Sequence, residues 1–543
     1  MSYIADKIII NGNIHTMDDK NEKAEALAIY GDKIIAVGSN TEIKALTDNN
    51  TQMVDAQGQL VLPGFQDTHI HFQATSADFF HYVSLHEMKT MDDLLNEIER
   101  FARENPHKEW IKGIGFNPSI FNENNLTKER LDAVTGGRPA LIFSFDYHSG
   151  WANSEAFRIA DVTVATPEPA SGSYARCTDG SPKGYIYEDA IWAMNRFSPA
   201  FSDEDYFEAM QHYCKVFNQH GITGILDAVA PRKTMENYQT LNKLGQLSLR
   251  VAATSKIFAH LPLAEQMQEL LSLRESYADD MVSLHSAKFF LDGVLESGTA
   301  TLLEPRCDTG STAPLMFDQP LINEFFAAFD KEKFQLHVHT IGDGAVNAAL
   351  NGIEYAQQVN GLWDSRHQLA HIQLVTAEDF PRFKQLGVYG NVQPLWAQPD
   401  PDNDKIALQM LGEERYRQIY PIGELVRQGT VCALSSDWGV STFDPFAIMQ
   451  TALTRQVSGA NKNSPAHNPQ YRIDIDTAIR GYTINAARAA WREKTTGSLT
   501  VGKFADLIIL NQDLYTISPY EIENTKVVLT LLGGKEVYRD TSL

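Results

Sequence analysis

Between residues 61 and 495 helical stretches alternate with short apolar runs, and this alternation constrains the fold more than any other feature of the sequence. Met91–Arg103, Asp203–Phe217 and Ile322–Phe329 carry helical patterning, whereas Ala140–Phe145, Gly224–Val229, Ser286–Leu291, Gln335–His339 and Val431–Ser435 read as buried strands. Short buried strands separated by helices argue for βα units around a parallel sheet. Enough units are present to close that sheet, so the expected fold is α/β, a (β/α)8 TIM barrel over residues 61–495. The chain ends have a different texture. Lys7–His15 and Ala26–Val37 read as strands with a hairpin signal at Gly31-Asp32, Ala505–Leu510 as a strand, and Val527–Tyr538 as a hairpin turning at Gly533-Gly534. Together they predict a small β-sandwich domain built from both termini, residues 1–60 plus 496–543.

Composition excludes several classes. The 543 residues carry a formal net charge of -23, which would repel a phosphate backbone rather than neutralise it, so no nucleic-acid partner is expected. Cys177, Cys214, Cys307 and Cys432 are scattered without a Cys-x-x-Cys pair, which suggests neither a disulfide framework nor a thiolate zinc site. Residues 1–20 hold only the short apolar run Ile8-Ile9-Ile10, and no later segment has the uninterrupted apolar length of a membrane span. A cytoplasmic protein with a small-molecule substrate and no membrane partner is the expectation.

In a barrel of this kind chemistry sits at the C-terminal ends of the strands. The stretch Val61–Phe72, VLPGFQDTHIHF, places His69 and His71 two residues apart, on one face of a strand, so that both imidazoles can aim at one point. Zinc accepts such imidazole pairs. His337 and His339 end Gln335–His339, His371 ends Gln368–His371, and Asp437 follows Val431–Ser436. Lys288 lies inside the apolar run Ser286–Leu291, where an unpaired ammonium is costly. Each residue taken singly has an ordinary structural reading, such as a backbone hydrogen bond, a turn cap or an ion pair. Jointly they bring His, His, Lys, His, His and Asp to successive strand ends.

These segments, with HSGWANSEAF from His148, KFFLDGVLESGTA from Lys288, HTIGD from His339, LAHIQL around His371, SSDWGV around Asp437 and TINAARA through TTGSLTVGKFADLIIL from Thr483 to Leu510, resemble the metal-dependent amidohydrolases. The similarity is to the branch that includes the YtcJ-like proteins and N-substituted formamide deformylase. It implies a site with two divalent metal ions and a carbamate on Lys288 that bridges them. The more exposed ion would be held by His339, His371 and the carbamate, the more buried one by His69, His71, the carbamate and Asp437. Zinc suits the imidazole-rich set best, with manganese, iron and cobalt left open. His337 ranks below His339 and is read as a supporting or core histidine. Asp292 and Asp343 are read either as carboxylates orienting ligands or as turn caps.

The implied reaction is hydrolysis of an amide-type C–N bond by a metal-activated hydroxide, with Asp437 as general base and then general acid. His148 is a second catalytic candidate, through a hydrogen bond to the substrate carbonyl. Phe72, Phe116, Tyr147, Trp151, Asn153 and Trp396 are the candidates for substrate binding, in an aromatic pocket suited to an apolar N-substituent. In Gly115-Phe116-Asn117 many relatives carry Asp where this chain has Asn117, so their preference for cationic or polar groups need not carry over. Two other readings stay open: a deaminase or cyclic-amide hydrolase on the same scaffold, and a non-catalytic binding or assembly relative. The latter predicts lost ligands, whereas all six positions are filled. A homo-oligomer is left open by the sequence.

Overall fold

The computed structural model describes residues 4–118, 120–145, 147–169 and 172–541. It divides into two compact units, Met1–His71 with Tyr213–Leu543, and Phe72–His212.

The first unit is built around eight strands: β1 (Phe65–Ile70), β2 (Ile222–Asp227), β3 (Arg250–Lys256), β4 (Val282–Phe290), β5 (Gln335–Thr340), β6 (Gln368–His371), β7 (Tyr389–Val392) and β8 (Cys432–Leu434). They neighbour one another in chain order, and every pairing is parallel. Beyond β8 the first and last strands approach: Asp437 N–H donates to His69 O at 2.9 Å and His71 N–H to Trp438 O at 3.2 Å, so the sheet is a nearly closed parallel barrel. Every residue of β1 and β5 is buried, as parallel strands covered on both faces require.

Helices form where the sequence offers caps and a 3.6-residue apolar stripe. In Gln319–Lys331 the Asp318 carboxylate accepts the N–H of Leu321 at 3.0 Å, Pro320 sits in the first turn, and Ile322, Phe325, Phe326 and Phe329 fall on one buried face. That face packs on the helix Asp343–Asn360.

The chain ends supply two further sheets of this unit. Lys33–Gly38, Ala26–Tyr30, Lys7–Ile10 and Gln52–Asp55 make one; Lys535–Arg539, Val527–Leu532, Leu507–Leu510, Leu60–Pro63, Asn13–His15 and Lys23–Ala24 make the other. Ile9, Leu27 and Val61 from the N-terminal part and Leu507, Ile509 and Leu529 from the C-terminal part share one apolar cluster.

The second unit has its own six-stranded mixed sheet, ordered Gly172–Arg176, Pro182–Glu188, Ser149–Ala152, Ala140–Ser144, Ile111–Phe116 and Val83–Ser84. Ala140–Ser144, expected among the βα units of the barrel, is instead in this sheet and pairs antiparallel with Ser149–Ala152. A five-residue apolar run has the same pattern in either sheet, because burial on both faces erases the signature of its partner.

Candidate metal centre

The six proposed ligands converge at one end of the barrel. His69 is on β1 and His71 just beyond it, Lys288 is on β4, His339 on β5, His371 closes β6, and Asp437 follows β8. Asp437 Oδ1 lies 3.3 Å from His71 Nε2 and 3.7 Å from His69 Nε2, and ligand atoms of these three residues all fall within 4.8 Å of one another. Lys288 Nζ is 3.3 Å from His69 Nε2. The His371 ring centroid is 4.9 Å from that of His69 and 4.5 Å from that of His339.

Burial sets the charge states. It holds His69 and His371 well below the ordinary imidazole range and His339 at about 4, so these rings present a lone pair rather than a second proton at neutral pH. Burial also pushes the fully enclosed Lys288 amine down to about 7. Asp437 Oδ1 is buried without a hydrogen-bond partner among the described residues, and buried carboxylate oxygens are seldom left so. An unsatisfied carboxylate oxygen beside the imidazoles of His69 and His71 is a donor set that fits a divalent ion of the zinc kind.

The backbone is bent to make this arrangement. His371, Ile372 and Asp437 have φ of 76°, 49° and 54°, left-handed values that cost energy in non-glycine residues and persist where surrounding structure imposes them.

Groups behind the ligands hold them. Asp67 Oδ1 accepts the N–H groups of His69 at 3.2 Å and Ser436 at 3.1 Å, fastening β1 to the segment after β8; burial raises this carboxyl to about 7. His337 Nε2 is 2.9 Å from His69 Nδ1, against the side of that ring away from Lys288. His339 Nε2 lies 3.1 Å from Gly293 O, which can only accept, leaving the lone pair of that ring on Nδ1. Asp292 accepts the N–H groups of Thr301, Ile341 and Gly342 at 2.8–3.1 Å and stands 3.7 Å from His339 Nε2. Asp343 accepts the N–H of Leu303 at 3.0 Å, tying the start of the helix Asp343–Asn360 to the loop that holds Leu303. Asp67 and Gln393, which accepts from His371, were not among the sequence candidates; the signal was a polar residue inside strand β1 for Asp67 and one directly after β7 for Gln393.

Of the substrate-binding candidates, Trp396 belongs to the first unit and stacks on His371 with centroids 5.1 Å apart and planes 4° apart. The others belong to the second unit. Phe116 and Trp151 lie in its apolar core, with Trp151 Nε1 donating to Thr127 O at 3.0 Å. Asn153 caps the helix Ser154–Ile159 and accepts the N–H of Ala156 at 3.0 Å. Phe72 opens the helix Phe72–His81 and is buried. Tyr147 donates to Asp78 Oδ2 at 2.8 Å. His148 is exposed, its Nδ1 2.9 Å from the Glu188 carboxylate.

The near-closed parallel barrel thus gathers imidazole, amine and carboxylate groups at its strand ends. The chain belongs to the amidohydrolase family, whose profile matches residues 52–538. It is 27% identical over 542 residues to protein LONG AFTER FAR-RED 3 of Arabidopsis thaliana, covering 98% of this chain and 92% of that one. It is 26% identical over 567 residues to the N-substituted formamide deformylase of Arthrobacter pascens, covering 100% of both. Among solved structures, an uncharacterized metal-dependent hydrolase from Pyrococcus horikoshii OT3 superposes with a TM-score of 0.77 at 23% identity, over 94% of this chain and 99% of that one, a likeness of fold.

Proposed function

We propose that the protein hydrolyses a C–N bond other than a peptide bond, in an N-substituted formamide or another small amide. The unpartnered Asp437 Oδ1 between His69 and His71 carries the reading, and the full-length relationship to a formamide deformylase supports the substrate class. In this reading His69, His71 and Asp437 hold one divalent ion, His339 and His371 a second, and a Lys288 carbamate serves both. Bound divalent ions, zinc by preference, supply the positive charge that acidifies water and polarises the scissile carbonyl.

The chain's own groups do the rest. With its amine pushed down to about 7, a substantial share of Lys288, about half, is uncharged near neutral pH. That form adds carbon dioxide and releases a proton, so a buried cation gives way to an anion. Asp437 takes the proton of the attacking water at its other carboxylate oxygen, Oδ2, and returns it to the leaving nitrogen, which must depart as a neutral amine. Trp396, flat against His371, fixes that ring and offers an apolar wall to the N-substituent. A cytoplasmic location, and a β-sandwich domain formed by residues 1–60 with 496–543, belong to the same reading.

Formate release from a panel of N-substituted formamides tests it, using purified protein before chelation, after chelation and after reloading with zinc. Turnover that disappears with the metal and returns with it is the expected result. Inert formamides alongside ammonia release from ring amines would replace this reading with a deaminase.

A further inference from the structure

A file of buried amides crosses the barrel core from its floor to His371. The structure assigns to it the task of fixing which His371 nitrogen carries the proton, with Gln393 and Asn391 as the positioning residues. This inference rests on His371 serving as a metal ligand.

Amide nitrogens donate and amide oxygens accept, so each orientation follows from a group whose role is fixed. At the floor, Gln335 on β5 places one terminal atom 2.6 Å from Arg366 O and 2.9 Å from Ala489 O. Backbone carbonyls only accept, so that atom is Nε2, and Gln335 Oε1 faces Gln368. Gln368 on β6 has one atom 2.9 Å from Gln335 Oε1 and 3.1 Å from Ala489 O. This too must be nitrogen, and Gln368 Oε1 faces β7. There Asn391 has an atom 2.9 Å from Gln368 Oε1 and 2.9 Å from Thr68 O on β1, again a nitrogen. Asn391 Oδ1 therefore points up the barrel, 2.8 Å from the Ser435 hydroxyl and 3.2 Å from Gln393 Nε2.

Gln393 is the one amide in the file whose side chain meets no backbone carbonyl among the described residues; its Nε2 also meets Ser435 Oγ at 2.8 Å. What keeps it from turning over is Asn391 Oδ1, which accepts and cannot donate. Gln393 Oε1 is thereby held 2.9 Å from His371 Nδ1. An oxygen there requires a proton on Nδ1, which leaves the lone pair of His371 on Nε2. All five residues of the file are buried, Gln335, Gln368, Asn391 and Ser435 completely, so water does not compete for these bonds. Removal of hydrogen-bond partners behind metal ligands commonly costs 10–100-fold in metal affinity.

Asn391→Leu should release Gln393 to turn over and present Nε2 to His371, drawing the lone pair of that ring to Nδ1. The second change is diagnostic. Gln393→Glu places an accepting oxygen at both ends of the side chain, so its orientation no longer matters. Zinc affinity is measured by competition with a chromophoric chelator for the full-length protein, each single variant and the double variant, with thermal unfolding alongside. We expect Asn391→Leu to weaken zinc about 10–100-fold, and the double variant, in which the new carboxylate no longer faces the accepting Asn391 Oδ1, to regain most of the loss. Unchanged affinity in Asn391→Leu, or a loss that Gln393→Glu does not restore, would overturn the assignment. If Asn391→Leu fails to fold, Gln393→Met against Gln393→Glu makes the same comparison, and equal affinities there would overturn it. A parent protein that binds no zinc instead contradicts the metal reading itself, so the two failures are distinguishable.

Discussion

Gly342 shows how tightly single positions near the centre are specified. A Cβ there would stand 2.0 Å from the backbone oxygen of Thr301 and 2.7 Å from its carbonyl carbon, so the obstruction is main chain and not the movable end of a side chain. Gly342→Ala should force the two backbones apart and loosen the Asp292 bonds to Gly342 and Thr301. The expected cost is roughly 1–3 kcal/mol of stability, in the range of overpacking, read from urea unfolding; parent-like unfolding would contradict that contact. His285, buried against Trp491 on β4, makes a pH prediction. Burial holds it at about 4 against an ordinary 6.5, so between those values the unfolded chain binds the proton more readily. Stability is therefore complete above about 6.5 and falls as pH drops towards 4, by on the order of 3 kcal/mol. His285→Leu should flatten that part of the profile, and equal slopes in parent and variant would exclude this residue as the source.

At the scale of elements, the barrel is fastened to the sheets of the chain ends by one buried ion pair. Arg250, opening β3, donates to both carboxylate oxygens of Asp506 at 2.6 and 3.1 Å, and its guanidinium lies 3.7 Å from the Phe504 ring centroid. Asp506 also accepts the N–H of Gly533 at 2.7 Å in the hairpin turn. Removing one partner strands the other charge in the interior, which typically costs 3–5 kcal/mol. Arg250→Met and Asp506→Leu should each lower the unfolding midpoint strongly, and the double variant should recover part of the loss, since an uncompensated charge rather than a missing bond dominates. Additive losses in the double variant would rule out that account. Such a pair, 256 residues apart in sequence, leaves no trace in local patterning. For the same reason Ala140–Ser144 reads as a barrel strand until its antiparallel partner is seen.

For the whole molecule, the sequence discloses what repeats and what ends a strand. The parallel eight-stranded order and the meeting of His69, His71, Lys288, His339, His371 and Asp437 were legible because titratable residues closing apolar runs stand out from their surroundings. The amides behind them were not legible: Gln335, Gln368 and Asn391 are ordinary polar residues until closure of the barrel turns them inward beyond the reach of water. The second unit escaped for a related reason, since its six-stranded sheet uses short runs indistinguishable from barrel strands. The account as a whole stands on the donor set being a metal centre with Lys288 at its heart. Metal content of the purified protein, measured with its intact mass under non-denaturing conditions for the parent and Lys288→Ala, tests this most directly. The prediction is about two divalent ions per chain and the mass of one added carbon dioxide in the parent, with both lost in Lys288→Ala. A parent without divalent metal, or a single ion that survives Lys288→Ala, would contradict it.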